Sequence, residues 1–369
     1  MNNNDLNVLK NELIGFIHSL NKGKFEYTPA LKGVTKIGES INLGFNCYVI
    51  KCLYMLDEWV NLNTSLKDDW VSYINSFQST KNNFPKNSFV DDNYIKFFNE
   101  GINIESLKYF TKDVLNYFGF NYESREIYLN SSIRAETKQA ISTLNQINHK
   151  NKDLYLEFPK TEIEINSYLN GLNWEKPWSA GAQFASLCVF VDTQLQEKEN
   201  KLCKRVLIDF VDYLVDKDSG FYFKGNTPSN QEIINGTMKI ITGLDWINYE
   251  IHFPEKIIDQ CLKLSVNSEG CDIVDIVYVL YKCSLITDYK KKDIDNYFDN
   301  VLIEIMKHYL KKDKGFSYFI NKSQTHYYGL KITKGMNTAD IHGTTLLLWA
   351  ISMIDNFKNG SSRFNILKP

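Results

Sequence analysis

Residues 337–352 read N-T-A-D-I-H-G-T-T-L-L-L-W-A-I-S, which sets a carboxylate (Asp340), an imidazole (His342) and a glycine (Gly343) directly before an apolar run. An imidazole can take or give a proton near neutral pH, so His342 is a candidate general base or acid. On a continuous helix, positions two apart point in different directions. As an N-cap, however, Asp340 can bond the backbone at 342 or 343 and leave His342 free to face a cavity. The competing expectation is that His342 is a helix-start residue satisfied by hydrogen bonds. A second constellation is C-D-I-V-D-I-V-Y from Cys271. Asp272 suits the first turn of a helix, where the macrodipole favours a carboxylate. Asp275 lies one turn on, among Ile273, Val274, Ile276 and Val277, where an unpaired charge is costly and calls for a partner or a task. Neighbouring carboxylates that share a proton make one of them an acid. Aromatics form the third set. Trp174 and Trp178 precede one apolar segment, and His326, Tyr327 and Tyr328 precede another. Such rings either line a ligand cavity or pack between helices.

Helical periodicity dominates the segments that carry these residues, and strand-like alternation is short and scattered, which predicts an all-α fold. K-D-S-G-F-Y-F (Lys217–Phe223) recurs as K-D-K-G-F-S-Y-F (Lys312–Phe319). Each copy leads to a similar helix start, I-N-G-T from Ile234 and I-H-G-T from Ile341, so Asn235 and His342 occupy equivalent places. Helix pairs of this kind bury their apolar faces only against neighbouring pairs. Six apolar helices are expected over Ile37–Leu56, Ile133–Ile147, Trp178–Val191, Gly236–Ile247, Cys271–Cys283 and Gly343–Ile354. Six amphipathic ones are expected over Leu66–Gln78, Leu107–Phe118, Glu162–Leu169, Leu202–Val215, Pro254–Leu264 and Ile294–Leu310. Six of each predict an α/α toroid of about six helix pairs, with an inner apolar and an outer amphipathic ring. A helix over Leu6–Leu20 belongs to an N-terminal helical extension, residues 1–30. Residues 148–160 read as a long internal loop within a single domain, 1–369, because three inner helices on either side of Asp192 close one ring. Phe77–Pro85 carries the turn motif weakly.

The helix pairs with G-F turns resemble the α/α toroid superfamily of terpenoid cyclases and protein prenyltransferase β subunits, and more loosely the (α/α)6 glycosidases and polysaccharide lyases. P-W-S-A-G-A-Q (Pro177–Gln183) and A-D-I-H-G-T (Ala339–Thr344) are similar to segments of uncharacterised bacterial proteins associated with surface-polysaccharide gene clusters. The prenyltransferase resemblance implies a zinc set of Cys271, Asp272 or Asp275, and His342, a thiolate, carboxylate and imidazole with one open position. The family's Asp two places before the cysteine is replaced by Glu269. The cyclase resemblance implies a D-x-D-D acid, of which Asp272 and Asp275 keep two carboxylates in a changed spacing. The lyase resemblance implies acid/base roles for tyrosine or histidine.

In a ring of parallel inner helices the helix starts share one rim, which would carry Lys36, Ser40, Arg134, Glu136, Trp178, Gln183, Asn235, Cys271, Asp272, Asp340 and His342. Unpaired N–H groups there favour anions, and loop residues Lys176, Lys224, Lys331 and Lys334 add positive charge. The expected partner is therefore a small-molecule, glycan or isoprenoid ligand with an anionic group, with Trp174, Trp178, Asn235, Tyr327, Tyr328 and Arg134 as binding residues. A formal net charge of −2 argues against nucleic acid. Seven cysteines without C-x-x-C spacing read as reduced thiols. No basic-then-apolar leader and no stretch of about 20 apolar residues is visible, so a cytoplasmic protein without a transmembrane segment is expected. Three functions remain open: an enzyme on a glycan or activated sugar in surface-polysaccharide metabolism, an enzyme on an isoprenoid diphosphate, and a non-catalytic glycan-binding or scaffold protein. No nucleophile or phosphate-loop motif decides among them.

Overall fold

The computed structural model describes residues 3–100 and 124–369. The outer helix expected over Leu107–Phe118 lies outside the described residues.

The apolar segments form helices buried nearly all round, and the amphipathic ones bury a single stripe. In α3 (Leu43–Met55) only Lys51 and Tyr54 are not buried. Helices α8 (Pro177–Gln194), α10 (Asn230–Ile247), α12 (Gly270–Ser284) and α14 (Ile341–Asn359) share that character over most of their length, and α6 (Arg125–Gln146) buries residues only between Ser132 and Leu144. Helix α3 packs on α6, α6 on α8, α8 on α10, α10 on α12 and α12 on α14; α14 then returns to α3, closing a cycle of contacts. Against this cycle lie α1 (Asn3–Ser19) and α4 (Thr64–Asn75) on α3, α9 (Glu197–Leu214) on α8, α11 (Pro254–Cys261) on α12, and α13 (Lys291–Lys307) between α12 and α14. Helix α7 (Glu162–Asn170) packs on α9, and α2 (Lys36–Ser40) on α5 (Asp92–Glu100). One buried apolar cluster extends from Leu6 to Leu367. Among the described residues no helix is long and apolar enough to cross a membrane.

At three helix starts a cap accounts for the difference from the sequence expectation. The segment Ile37–Leu56 is two helices, because the Asp91 carboxylate accepts from the Asn42 and Leu43 N–H groups at 2.7 and 3.0 Å and starts α3 afresh. Helix α6 begins at Arg125 behind the N-cap Ser124, and α10 begins at Asn230 behind Ser229. Arg134, Glu136 and Asn235 therefore sit one or more turns inside their helices and not at their starts.

The repeated D-x-G-F segments are short hairpins at helix ends. Val215 bridges Tyr222, and β1 (Tyr309–Leu310) pairs antiparallel with β2 (Gly315–Phe316). The weak N-terminal copy does the same through Gln78 and Phe89. The glycine of I-x-G-T serves close approach in both copies: a Cβ on Gly343 would stand 2.4 Å from the Tyr318 nitrogen, and one on Gly236 would stand 2.7 Å from the Pro177 carbonyl carbon. Residues 148–160 are a loop tied to its surroundings. The Gln194 side-chain oxygen accepts from Asn151 and the Tyr155 N–H, and Tyr155 and Phe158 are buried.

Candidate functional site

All six helices of the closed cycle border a cavity of about 390 Å³, within the usual size range of small-molecule sites. Helical spacing decides which side chains reach it. Tyr48 and Lys51 come from α3; Ala135, Lys138 and Gln139 from α6; Trp178, Ala182, Ala185 and Ser186 from α8; and Met238, Lys239 and Thr242 from α10, mostly three or four residues apart on one face. Cys271 of α12 and His342 of α14 contribute one residue each. Gln324, His326, Tyr327 and Tyr328 border it from a hairpin of β3 (His326–Tyr327) and β4 (Leu330–Lys331), and Pro369 also borders it. The hairpin turns through Tyr328 and Gly329, both at positive φ (39° and 78°). That conformation is unusual for a tyrosine. It is held by the Tyr94 hydroxyl, which donates to the Tyr328 carbonyl at 3.0 Å. A Cβ on Gly44 would collide with the Tyr327 hydroxyl, so the glycine makes room for that ring.

Lys51, Lys138 and Lys239 are the chemically distinctive part of the wall. Each is partly exposed and lines the cavity. None makes an ion pair or hydrogen bond to another described residue. Burial, then the charges of Lys51 and Lys239, hold the Lys138 ammonium well below the ordinary lysine range. Burial also lowers Lys51, partly offset by Cys47 and Glu136. Counter-charge is scarce. Burial raises Asp275 to about 6, against the lowering influence of Lys239. Burial raises Glu136 to about 8 although the Tyr327 hydroxyl donates to it. Three basic side chains thus line a cavity with few acidic groups, and an anion entering it would meet partners that water screens poorly.

His342 lies between the rings of Tyr48 and Tyr318, with centroids 4.8 and 5.3 Å away and both interplanar angles 22°. Burial, then Lys51 and Lys239, pull its pKa down to about 3. The ring is neutral at physiological pH, and its Nδ1 is buried without a hydrogen-bond partner. It can accept a proton or a hydrogen bond; it is not poised as an acid. Asp340 is the N-cap of α14. One carboxylate oxygen accepts from the Gly343 N–H at 2.7 Å, and the other accepts from Tyr318 and Gln324 at 2.7 and 3.1 Å. Its oxygens are used by the backbone, which makes it a positioning residue for His342 and the adjoining hairpin.

The remaining residues singled out in the sequence are distributed unevenly. Trp178, Tyr327, Tyr328, Cys271 and His342 border the cavity; Trp174, Arg134, Asn235, Asp272, Asp275 and Asp340 do not. Trp174 is buried against Phe210, and its indole N–H donates to the Leu169 carbonyl at 2.8 Å, so it packs the core. The Arg134 guanidinium bonds Tyr168 and Gln183 at 2.7 and 2.8 Å. Asn235 donates to Asp272 at 2.9 Å, and Asn267 donates to the other Asp272 oxygen at 2.7 Å. Asp272 thus braces α10 against α12. Asp275 is buried with Oδ2 unpartnered and stands near Lys239.

The zinc set is not assembled. Among the described residues no three of His, Cys, Asp and Glu converge on a metal position. Asp272 is turned to its two asparagines, and burial, then Asp275, push the Cys271 thiol up to about 12, so it stays protonated. The helix starts are also not open to an anion in the way expected. The protein's own Asp91, Asp340 and Glu232 carboxylates accept the N–H groups at the starts of α3 and α14 and that of Trp178 in α8. The positive charge comes from mid-helix lysines, not from the loop lysines 176, 224, 331 and 334. Their signal was present in the sequence as single lysines inside apolar runs, C-Y-V-I-K-C-L-Y and T-M-K-I-I-T.

Compared with known proteins, the chain matches no family model, no curated protein and no solved structure.

Proposed function

We propose that the six-helix cycle is the inner ring of a single α/α toroid, and that its cavity binds a phosphorylated or carboxylated sugar. The observation that carries this reading is the group of three lysines, Lys51, Lys138 and Lys239, without direct counter-ions on the wall of one cavity. A desolvated basic group without a partner is retained at a cost in stability, and a bound anion supplies the missing partner. Trp178, Tyr48 and Tyr327 offer faces for a sugar ring. Gln139, Ser186, Thr242 and Gln324 interrupt the apolar surface with hydrogen-bonding groups. That mixture suits a hydroxylated ligand better than a polyprenyl chain, which needs continuous apolar walls, and it ranks the isoprenoid diphosphate reading second. As an enzyme of glycan or activated-sugar metabolism, the protein would use neutral His342 as the proton acceptor, oriented by the Tyr48–Tyr318 stack.

Calorimetric titration with glucose 6-phosphate, UDP-glucuronate, glucose and farnesyl diphosphate tests the proposal. The charged sugars should bind, more weakly as salt is raised, and glucose should not. Preferential binding of farnesyl diphosphate would replace the sugar reading with the isoprenoid one. Binding of none would leave the scaffold reading.

A further inference from the structure

We infer that residues 364–369 are the floor of the cavity and set the length of its ligand: they make it a blind well for a short anionic sugar and bar a charged glycan chain from passing through the helix cycle. The inference rests on the cavity being the sugar site, and adds which sugars that site admits.

Neighbouring inner helices run parallel. Between α8 and α10, Gly236 lies against Pro177 and Gly243 against Phe184. Asn235 bonds Asp272, and further along α10 Asp245 pairs with Lys282 of α12 at 2.8 Å. Gly270 and Gly343 both lie against Tyr318, and further along α12 the Tyr281 hydroxyl donates to Asn356 of α14 at 2.9 Å. Tyr48 stacks on His342, and one turn on the Cys52 thiol stands 3.2 Å from the Thr345 hydroxyl. In each pair both residue numbers rise together. The helix starts therefore share one face, where Trp178, Cys271 and His342 border the cavity from the first turns of α8, α12 and α14. Trp178 and His326 are exposed there, which marks the mouth.

The chain after α14 crosses the opposite face. The Asn365 N–H and side-chain amide donate to the Met55 and Tyr54 carbonyls at 2.9 and 2.8 Å, satisfying acceptors that the end of α3 leaves free. The Lys368 N–H donates to the Gln146 side chain of α6 at 2.8 Å, and the Trp246 indole N–H of α10 donates to the Pro369 carbonyl. The Lys368 ammonium lies 4.5 Å from the centre of the Trp246 ring, and Phe364 and Leu367 are buried in the core cluster. Three helix ends thus hold one irregular segment, and its Pro369 borders the cavity. Releasing it would unbury two apolar side chains and break bonds to three helices, so it is a fixed wall and not a flap.

The three lysines stand above this floor. Lys51 lies about one turn before Met55, and Lys138 and Lys239 about two turns before Gln146 and Trp246. From Gly236 to Trp246, α10 rises by about 15 Å at roughly 1.5 Å per residue. A ligand entering at the helix starts meets the lysines first and the floor last. That depth suits a sugar phosphate or a short acidic oligosaccharide. A polymer needs a second opening, and the segment occupies it.

Calorimetric titration of the full chain with oligogalacturonates of one to six units tests the floor. Affinity should rise with length up to about three units, the depth of the well, and then stay level within about twofold. In Leu367→Asp, which puts a charge at a buried anchor of the segment, affinity should keep rising, by about tenfold from the trimer to the hexamer. Acrylamide quenching reports release of the segment. Trp246 is 1% exposed, and one further tryptophan should become quenchable in Leu367→Asp but not in the double variant that adds Trp246→Phe. Glucose 6-phosphate, bound by both proteins, reports that the lysine site is intact. A steady rise through six units in the unaltered protein overturns the floor and leaves the anion site standing, and this series decides even where the variant fails to fold. A level series in a variant whose Trp246 has become quenchable also overturns it. Failure of both proteins to bind any of these sugars overturns the sugar reading and the length limit with it.

Discussion

Around the helix starts, the carboxylates of Asp91, Asp272 and Asp340 have both oxygens engaged, by backbone N–H groups or by asparagine amides. On the cavity wall, Lys51, Lys138 and Lys239 have no direct partner among the described residues. The carboxylates are buried and sit at or just before helix starts, whereas the lysines are partly exposed to the cavity at mid-helix positions. Polar groups that serve the architecture are saturated, because an orphaned one destabilises the fold by about 1–3 kcal/mol. Polar groups left unsaturated in a cavity are tolerated where something else completes them.

Substitutions at the two regions should therefore change stability in opposite directions. The largest effect is expected for Asp340→Ala, which removes the α14 cap and strands the Tyr318 and Gln324 N–H groups. The loss should be about 3–5 kcal/mol in chemical denaturation, and a loss below about 1 kcal/mol would erase the distinction between the regions. Lys138→Met should instead raise stability, by roughly 1 kcal/mol, since it removes a desolvated amine without a partner and keeps the volume. A clear destabilisation would mean that the lysine has a structural partner after all.

The pH dependence of His342 sharpens the same comparison. Its folded-state pKa of about 3 lies below the ordinary value of 6.5, so the unfolded chain takes up the proton first. Its contribution to stability is complete above about pH 6.5 and falls as pH drops toward 3. Asp340 and Asp275, both raised to about 6, act in the opposite sense over the acid range. The informative quantity is thus a difference: His342→Gln should gain stability relative to the unaltered protein as pH falls from about 6.5 to about 4. Parallel stability curves would contradict the assignment of a buried neutral imidazole. The smallest effect on folding is expected for Trp178→Ala. Trp178 is 39% exposed, so stability should change by less than about 1 kcal/mol while sugar-phosphate affinity drops several-fold.

The sequence made the helices easier to read than the site, for reasons visible in particular residues. The apolar runs of α3, α8, α12 and α14 mark themselves, because a helix buried on every side has no polar face to blur it. The first turns of α6 and α10 are polar, R-E-I-Y-L-N and N-Q-E, and their caps are single serines. Periodicity picked these helices up only where the apolar residues begin, which displaced Arg134 and Asn235 onto a rim they do not occupy. Trp174 and Trp178 are four residues apart and identical in type, yet one packs on Phe210 and the other borders the cavity. Nothing local separates them; the difference is made by α9. Lys51 and Lys239 are legible as exceptions within apolar runs, Lys138 lies in the polar stretch A-E-T-K-Q, and only the closed cycle of contacts brings the three to one space.

The central claim, that these three lysines form one anion site, is tested most directly by titrating glucose 6-phosphate into the unaltered protein and into Lys51→Met and Lys239→Met. Lys201→Met serves as a control that breaks only an exposed pair with Glu197. One molecule should bind per chain, about tenfold or more weakly in each cavity variant, and with unchanged affinity in the control. Equal affinity in all four proteins, with saturable binding that ignores Lys51 and Lys239, would contradict the account.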